Sequence, residues 1–316
     1  MFTVSVCSLK GGVGKTSVTL GLASAALHQG VNALVIDLDP QGDSTLGLLG
    51  EPAEGPDIAD VISSARTETI DRAIRPTPWS EGASSHLDII PGTHRSSVVD
   101  SPAPAAREVR RLRDALENRS HHYDLVLIDC PPSLNGLTQM ALAASDRSLV
   151  VCEPGFFAVT AADRALKLAA ELHDDGLAPR LSPLGLVVNR YRPRSVEHQY
   201  RLAELRELFG PLILDPVIEE RVGLQQAQGG AVPLHRYEGA SGARLTEDFD
   251  ALLRTVLAAK GGTAEAPIPT TETPTTETPM TETSTTQAQA PATETQAPTA
   301  PADAPSASDN GAPQQS

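Results

Sequence analysis

Short apolar runs alternate with longer helical segments over residues 1–260, and this alternation constrains the fold more than any other feature of the sequence. The run Leu125–Asp129 has four consecutive apolar residues, as strands do when helices cover both faces of a sheet. Strands that alternate with helices pair in parallel through right-handed crossovers. We therefore expect a three-layer α/β fold, with a mostly parallel, twisted sheet and helices on both of its faces.

The apolar runs predict seven strands, at Thr3–Ser8, Ala33–Asp37, Leu87–Ile90, Leu125–Asp129, Ser148–Cys152, Leu184–Asn189 and Pro211–Leu214. Helices are expected to begin near Gly14, Asp57, Ala105, Leu134, Thr160, Ser195 and Glu219, and a last helix is expected at Ser241–Ala259. In such folds ligands bind beyond the carboxyl ends of the strands. The residues that follow each strand are therefore the first candidates for a functional site.

Acidic residues are concentrated at the end of the chain. The 316 residues include 40 Asp and Glu against 25 Lys and Arg, a formal net charge of −15. Residues 261–316 contain seven of these acids, no Lys or Arg, and mostly Thr, Pro, Ala and Gln. A segment of this composition buries too little apolar surface to offset its ordering entropy. We expect one folded domain at residues 1–260 and a disordered acidic tail at 261–316, for which a solvated tail is favoured over a partner-docking or Thr-modified segment.

Composition also excludes several classes of protein. No apolar run approaches the ~20 residues of a membrane span, and no signal peptide precedes the first strand, so a cytoplasmic protein is expected. Cys7, Cys130 and Cys152 have no CxxC spacing and read as buried free thiols. An acidic chain does not attract nucleic acid over its whole surface, so any contact with DNA requires a local basic patch.

A glycine-rich loop with the sequence SLKGGVGKT, residues 8–16, joins the first strand to the first helix. Glycines let a backbone wrap round a polyphosphate, so that its N–H groups and the helix N-terminus face the anion. Lys15 would reach the β- and γ-phosphates, and the Thr16 hydroxyl would ligate Mg²⁺. The match to GxxxxGK[ST] is imperfect, because Leu9 replaces the first glycine and a second lysine, Lys10, follows it. The expected nucleotide contacts are Lys10, Gly11, Gly12, Val13, Gly14, Lys15, Thr16 and Ser17.

The string KGGVGKT resembles the deviant Walker A motif of the ParA/MinD class of P-loop ATPases, and the resemblance extends over roughly residues 1–260. It implies that ATP and Mg²⁺ are the cofactors. It also implies an ATP-dependent sandwich homodimer, in which Lys10 is the signature lysine that reaches the partner's phosphates. In this family slow hydrolysis of ATP to ADP and phosphate, stimulated by a partner protein, releases the dimer.

Carboxylates follow two of the predicted strands. Asp129 ends one strand and fits the Walker B role, since Mg²⁺ prefers hard oxygen ligands. The string DLDPQG after the second strand resembles the family's A′ motif, which implies that Asp37 supports the Mg²⁺ shell and that Asp39 orients or activates the attacking water. The predicted metal ligands are thus Thr16, Asp37 and Asp129, and the predicted catalytic residues are Lys10, Lys15 and Asp39. A turn or helix-cap role is favoured only for Asp43.

Asn189, at the end of the sixth predicted strand, resembles the family position where an amide reads adenine, although a routine turn residue is an equal alternative. An arginine-rich stretch follows it and has a local charge of about +3, which suits non-specific phosphate contacts. The stretch resembles the surface with which dimeric ParA proteins bind chromosomal DNA non-specifically. The predicted DNA contacts are Arg190, Arg192 and Arg194, with Arg221 as an approximate substitute for a further family arginine.

The last predicted helix has an apolar stripe that includes Leu245, Phe249 and Leu253. MinD-type relatives bind membranes through such a helix, but here the polar face has no net positive charge to attract anionic lipid. A helix packed on the sheet is therefore favoured, and no membrane partner is expected.

The resemblance implies a plasmid or chromosome partition ATPase. Its expected partners are a second copy of the chain, non-specific DNA and a centromere-binding ParB-type protein, and it is expected to be associated with the nucleoid in the cytoplasm. The alternatives are a MinD-like positioning ATPase on a membrane or polar scaffold, a redox protein resembling the nitrogenase iron protein, and a scaffold without activity. The redox alternative requires two cluster-ligating cysteines per subunit at a dimer interface.

Overall fold

The computed structural model describes residues 1–64, 67–117, 122–238 and 242–261, and within these residues eight strands form one sheet. The strands are β1 (Phe2–Cys7), β2 (Ala33–Asp37), β3 (Arg75–Pro76), β4 (Leu87–Ile90), β5 (Leu125–Asp129), β6 (Arg147–Cys152), β7 (Ser182–Val188) and β8 (Ile213–Leu214). Their order across the sheet is β3-β4-β2-β5-β1-β6-β7-β8, and all neighbours are parallel except β3 and β4. The predicted fold class is confirmed.

The α-helices of the described residues lie on both faces of this sheet. They are α1 (Lys15–His28), α2 (Asp43–Leu49), α3 (Ile58–Ser64), α4 (Thr67–Ala73), α5 (Ala106–Val109), α6 (Arg111–Glu117), α7 (Gly136–Ala144), α8 (Ala158–Asp174), α9 (Val196–Phe209), α10 (Val222–Gly229) and α11 (Gly242–Ala258). One buried core contains residues of α3 to α9, and a second contains residues of α1, α2, α10 and α11. Strand side chains alternate between them, so that Leu34 and Ile36 lie in the first core and Ala33 and Val35 in the second.

The register brings the carboxyl ends of the three central strands level with one another. Asp129 of β5 pairs with both Val6 of β1 and Asp37 of β2. The residues after β1, β2 and β5 leave the sheet at this same edge. The glycine-rich loop and the carboxylates of Asp37 and Asp129 therefore meet there.

Several element boundaries differ from the sequence prediction. The strand predicted at Pro211–Leu214 is confined to its last two residues, because residues 210–212 form a 3₁₀ turn. The helix predicted near Ala105 is divided into α5 and α6, and the one predicted near Glu219 begins at Val222. Neither α2 nor the two-residue strand β3 was predicted, and β3 has an edge position that tolerates Pro76.

The predicted packing of the last helix is confirmed. The larger apolar side chains of α11 are fully buried, except that of Leu257, which is partly buried, and the helix packs against α1. The fully buried residues are Leu245, Phe249, Leu252, Leu253 and Val256. A Cβ built on Gly21 of α1 would lie 2.3 Å from the Phe249 ring, so the two helices approach as closely as a glycine allows. No helix in the described part of the chain has the length and apolar content that crossing a bilayer requires. The predicted disordered tail lies outside the described residues from 262 onward, so the domain boundary at residue 260 stays a prediction.

Candidate functional site

The glycine-rich loop runs from Ser8 to Gly14 between β1 and α1 and is shaped by two glycines with left-handed backbones. Gly12 has φ 79° and Gly14 has φ 89°, a conformation that is costly for other residues. A Cβ on Gly14 would in addition lie 2.2 Å from the side-chain nitrogen of Asn189. The backbone N–H of Val18 bonds to the Gly14 carbonyl at 3.0 Å, so α1 begins directly at the end of the loop.

Beside this loop lies an open cavity of about 410 Å³. It is lined by Gly11, Gly12, Gly14, Lys15, Thr16, Ser17, Leu20, Asp39, Gln41, Asp43, Leu46, Gly47, Pro132, Arg190 and Gln228. The first turn of α1 forms part of the wall, which places a helix N-terminus and a buried lysine, Lys15, at one cavity. Free backbone N–H groups at a helix N-terminus favour an anion such as a phosphate group.

The two lysines of the loop lie in different surroundings. Lys15 is 6% exposed and lines the large cavity. Lys10 is exposed and lines a separate cavity of about 50 Å³ next to Phe156 and Phe157. Of these two lysines, only Lys15 lines the large cavity.

Hydroxyl groups surround the buried carboxylate of Asp129. Its Oδ2 accepts hydrogen bonds from Thr16 Oγ1 and from Ser44 Oγ, both at 2.7 Å, and its Oδ1 accepts a longer one from Thr19 Oγ1 at 3.4 Å. The predicted partners Thr16 and Asp129 are thus in direct contact, although 113 residues separate them in sequence.

The carboxylate of Asp37 is also buried and is held by α2. Its Oδ2 accepts hydrogen bonds from the backbone N–H of Thr45 at 2.8 Å and from Thr45 Oγ1 at 2.7 Å, and its Oδ1 accepts one from the Asp39 N–H at 3.2 Å. Asp39 lies two residues further along and lines the cavity, where its Oδ1 accepts a hydrogen bond from the Gln41 N–H at 3.0 Å.

The carboxyl groups of Asp37, Asp39 and Asp129 share one site, and their burial disfavours the negatively charged form of each. Burial and then the charge of Asp129 raise the pKa of Asp37 to about 8. Burial raises the pKa of Asp129 to about 6, against the hydrogen bonds from Ser44 and Thr16, and it also raises the pKa of Asp39. A divalent cation nearby would favour the charged forms of all three groups.

The donor set suits Mg²⁺ better than a softer metal. Thr16 and Asp129 offer oxygen atoms, and Mg²⁺ characteristically uses one or two carboxylates together with water and substrate phosphates. Within the described residues no group of three or more His, Cys, Asp or Glu side chains is arranged to hold a metal ion by itself. The three cysteines are buried free thiols, as predicted.

Asn189 follows β7 directly and contacts the loop. Its Nδ2 donates a hydrogen bond to the Val13 carbonyl oxygen at 2.8 Å, and its side chain is buried. The sequence pointed to the residue but missed this role, and its predicted contact with adenine stays a prediction. Ser17, another predicted contact, donates a hydrogen bond to Gln228 Oε1 at 3.3 Å.

The four arginines predicted to contact DNA lie in unequal surroundings. Arg190 has a left-handed backbone, φ 55°, and lines the large cavity. Arg192 is paired with Glu220, and Arg221 with Glu219 at 2.6 Å. Arg194 is exposed and takes part in none of the ion pairs found among the described residues. The local charge counted from the sequence therefore overestimated the positive charge of this patch, because the count omitted Glu219 and Glu220.

Three further residues of the site were missed from sequence. Ser44 and Thr45 supply the hydroxyls that bind Asp129 and Asp37, and Gln228 lines the cavity from α10. The only available signal for the first two was their position just after the DLDPQG string. Gln228 lies 211 residues from its partner Ser17, and nothing in the local sequence marks it.

Comparison with known proteins agrees with this geometry. The AAA domain family matches residues 1–182. The chromosome partitioning protein ParA of Caulobacter vibrioides is 32% identical over 239 residues, which are 74% of this chain and 86% of that protein. The chromosome-partitioning ATPase Soj of Thermus thermophilus is 35% identical over 224 residues, which are 71% and 83% of the two chains. A plasmid partition protein of Borrelia burgdorferi solved with AMPPNP shares the fold, with a TM-score of 0.67 and 21% identity over 81% of this chain and 98% of that one. The chain belongs to the ParA/Soj family of partition ATPases.

Proposed function

We propose that this protein binds ATP and Mg²⁺ in the 410 Å³ cavity, hydrolyses ATP slowly, and uses the cycle to partition DNA. The observation that carries the proposal is the 2.7 Å contact between Thr16 and Asp129, beside a buried Lys15 at the start of the same helix. A lysine, a hydroxyl and a carboxylate at one helix N-terminus are the groups that hold a nucleotide polyphosphate and its magnesium ion.

The bound ion would neutralise charge on the phosphate oxygens. Thr16 and Asp129 would hold it, with Asp37 supporting the site through Thr45 and the backbone of the DLDPQG loop. Lys15 and the loop N–H groups from Gly11 to Gly14 would bind the β- and γ-phosphates. Phosphoryl transfer depends mainly on such positioning and charge neutralisation, so few further groups are required.

Asp39 is the group proposed to orient the attacking water. It is the one carboxylate of the three that lines the cavity, and burial raises its pKa, as suits a group that exchanges a proton. Its second carboxylate oxygen is the acceptor available for water, because Oδ1 already accepts from Gln41.

The exposed position of Lys10 supports an ATP-dependent homodimer. This lysine does not line its own large cavity, so it is available to the phosphates of a second copy. We propose that ATP closes the dimer, that the dimer binds DNA non-specifically, and that a basic, ParB-type partner stimulates hydrolysis and release. The site of action would be the nucleoid in the cytoplasm, and the acidic tail would follow the ATPase domain at residues 261–316.

The proposal is tested by retention of the full chain on immobilised duplex DNA with ATP, with ADP and without nucleotide, at several salt concentrations. Retention only with ATP, falling steeply as salt rises, is the expected result. A membrane-based function is tested in parallel by flotation with anionic liposomes. ATP-dependent flotation without retention on DNA would contradict the proposal.

A further inference from the structure

Two adjacent phenylalanines are exposed to solvent at the edge of the sheet where the cavity lies. Phe156 is 71% exposed and Phe157 is 67% exposed, whereas Phe2, Phe209 and Phe249 are buried. Their rings meet edge to face, with 5.0 Å between centroids. Exposed aromatic side chains that lie together are more common on surfaces that bind a partner than on the rest of a protein surface.

The pair extends into a larger surface through α9. The Arg201 guanidinium lies 5.2 Å from the Phe156 ring centroid and 5.1 Å from that of Tyr200, which is 60% exposed. We refer to Phe156, Phe157 and Tyr200 as the aromatic cluster.

Charge argues against a polyanion as the occupant of this cluster. Arg201 donates to Glu197 at 2.7 Å and to Glu204 at 2.9 Å, so the cation beneath the rings is already neutralised. Phosphate contacts with duplex DNA, and attraction to anionic lipid, both depend on cations that are free to pair.

Position indicates a second copy of the chain. The phenylalanines follow β6, the neighbour of β1, and they line the same small cavity as Lys10 and Val13. A protein that covers the exposed Lys10 would therefore also cover the aromatic pair. Since Lys10 is proposed to reach the nucleotide of a second copy, the two features lie on one face.

We propose that Phe156 and Phe157 form the apolar centre of the contact between two copies in the ATP-bound dimer, with Tyr200 at its edge. This inference rests on the dimer of the proposed function and adds the residues that stabilise it. A two-fold contact uses the same surface of both copies, so each phenylalanine contributes twice. Aromatic residues at the centre of an interface commonly dominate its affinity.

The test is sedimentation of the full chain with Mg²⁺ and a non-hydrolysable ATP analogue. The variant Phe156→Ser/Phe157→Ser is expected to weaken dimerisation at least ~30-fold. Its affinity for a fluorescent ATP analogue, measured on the dilute monomer, should be unchanged, because neither ring lines the large cavity. Val232→Ser is the control, an exposed apolar residue (38%) that should leave dimerisation unaltered. It follows Ala231, whose carbonyl oxygen accepts a hydrogen bond from Trp79 Nε1.

The outcomes separate this inference from the proposed function. A wild-type chain that binds the analogue and stays monomeric would contradict the dimer itself. A wild-type dimer that the double variant matches in affinity would overturn the role of the phenylalanines alone. The third outcome is that the wild type sediments with phosphatidylglycerol vesicles, whereas the double variant does not and still forms the dimer. That result would assign the aromatic cluster to a membrane and would overturn the inference.

A second measurement reads the burial of this surface directly, at protein concentrations where sedimentation shows that the Phe157→Cys chain is dimeric with the analogue. The native cysteines are buried, so Phe157→Cys introduces one accessible thiol. Its labelling by a maleimide should slow at least ~10-fold when the ATP analogue closes the dimer, since hot-spot side chains at an interface are shielded from water. Equal labelling rates in monomer and dimer would overturn the inference.

Discussion

The side chain of Asn189 donates a hydrogen bond to the carbonyl oxygen of Val13 at 2.8 Å and so joins the end of β7 to the middle of the glycine-rich loop. The next residue, Gly14, has no room for a Cβ beside this amide. The shape of the loop therefore depends on a residue 176 positions away in the sequence. Because Val13 is buried, its carbonyl would have no water to replace a lost donor.

We expect Asn189→Ala to weaken ATP binding about 10-fold and to lower the free energy of unfolding by ~1–3 kcal/mol, the usual effect of leaving a buried carbonyl unpaired. Competition by inorganic tripolyphosphate, which has no base, distinguishes loop positioning from base reading. Loss of tripolyphosphate affinity would show that Asn189 acts on the loop. If only the preference for ATP over GTP changes, the residue reads the base instead. Asn135→Ala, a partly buried asparagine at the start of α7, is the control.

Asp39→Asn should slow ATP hydrolysis at least ~100-fold and leave nucleotide binding nearly unchanged, because the amide retains the size of the side chain and loses its basicity. Asp43→Asn provides a matched control, since Asp43 lines the same cavity but is the first residue of α2. Both variants are measured by phosphate release and by binding of a fluorescent analogue. Equal turnover in Asp39→Asn and the wild type would remove Asp39 from the mechanism.

Much of this site could be predicted because its signals are local in the sequence. The loop residues 8–16 and the DLDPQG string each place several functional groups within a few positions, and strand pairing then brings them together. The buried strand runs predicted the parallel sheet for the same reason: four apolar residues in a row suit a strand covered on both faces.

The features that were missed depend on contacts between distant segments. The hydrogen bond from Ser44 to Asp129 spans 85 residues, and the pairing of Arg192 with Glu220 spans 28. Neither Ser44 nor Glu220 differs in local pattern from an ordinary surface residue, so the sequence predicted Arg192 as a free cation. Helix propensity also did not predict α2, a helix of seven residues. Its first turn is held by hydrogen bonds to the carboxylates of Asp37 and Asp129.

The buried carboxyls predict a stability that depends on pH in the absence of metal. Burial raises the pKa of Asp129 to about 6 and, with the charge of Asp129, that of Asp37 to about 8, both above the ordinary value of 3.8. Between the ordinary pKa of 3.8 and each raised pKa, the folded state binds more protons than the unfolded state. Raising the pH over this range therefore destabilises the folded state. The stabilising contribution is complete below about pH 4 and is lost as the pH rises through about 6 and about 8.

Melting of the nucleotide-free chain in EDTA should therefore show a Tm that falls by at least ~3 °C between pH 6 and pH 8.5. Asp37→Asn removes the titrating group of higher pKa and should flatten this slope. Saturating Mg²⁺ with ATP should also flatten it, because the cation favours the charged carboxylates. A Tm that rises over the same range in EDTA would contradict the assigned direction of the two pKa shifts.

The pairing of Arg192 with Glu220 leads to a prediction that distinguishes the proposed DNA surface from general charge. Glu220→Gln frees Arg192 and should strengthen ATP-dependent DNA binding ~3-fold. The dependence of the DNA affinity on salt should become steeper by the amount that about one additional phosphate contact contributes. Asp215→Asn is the matched control: it removes one negative charge and frees Arg206, which lies outside the predicted contacts. Affinity measured at three or more salt concentrations separates the two variants. An equal gain from both would mean that net charge, and not Arg192, determines the binding of DNA.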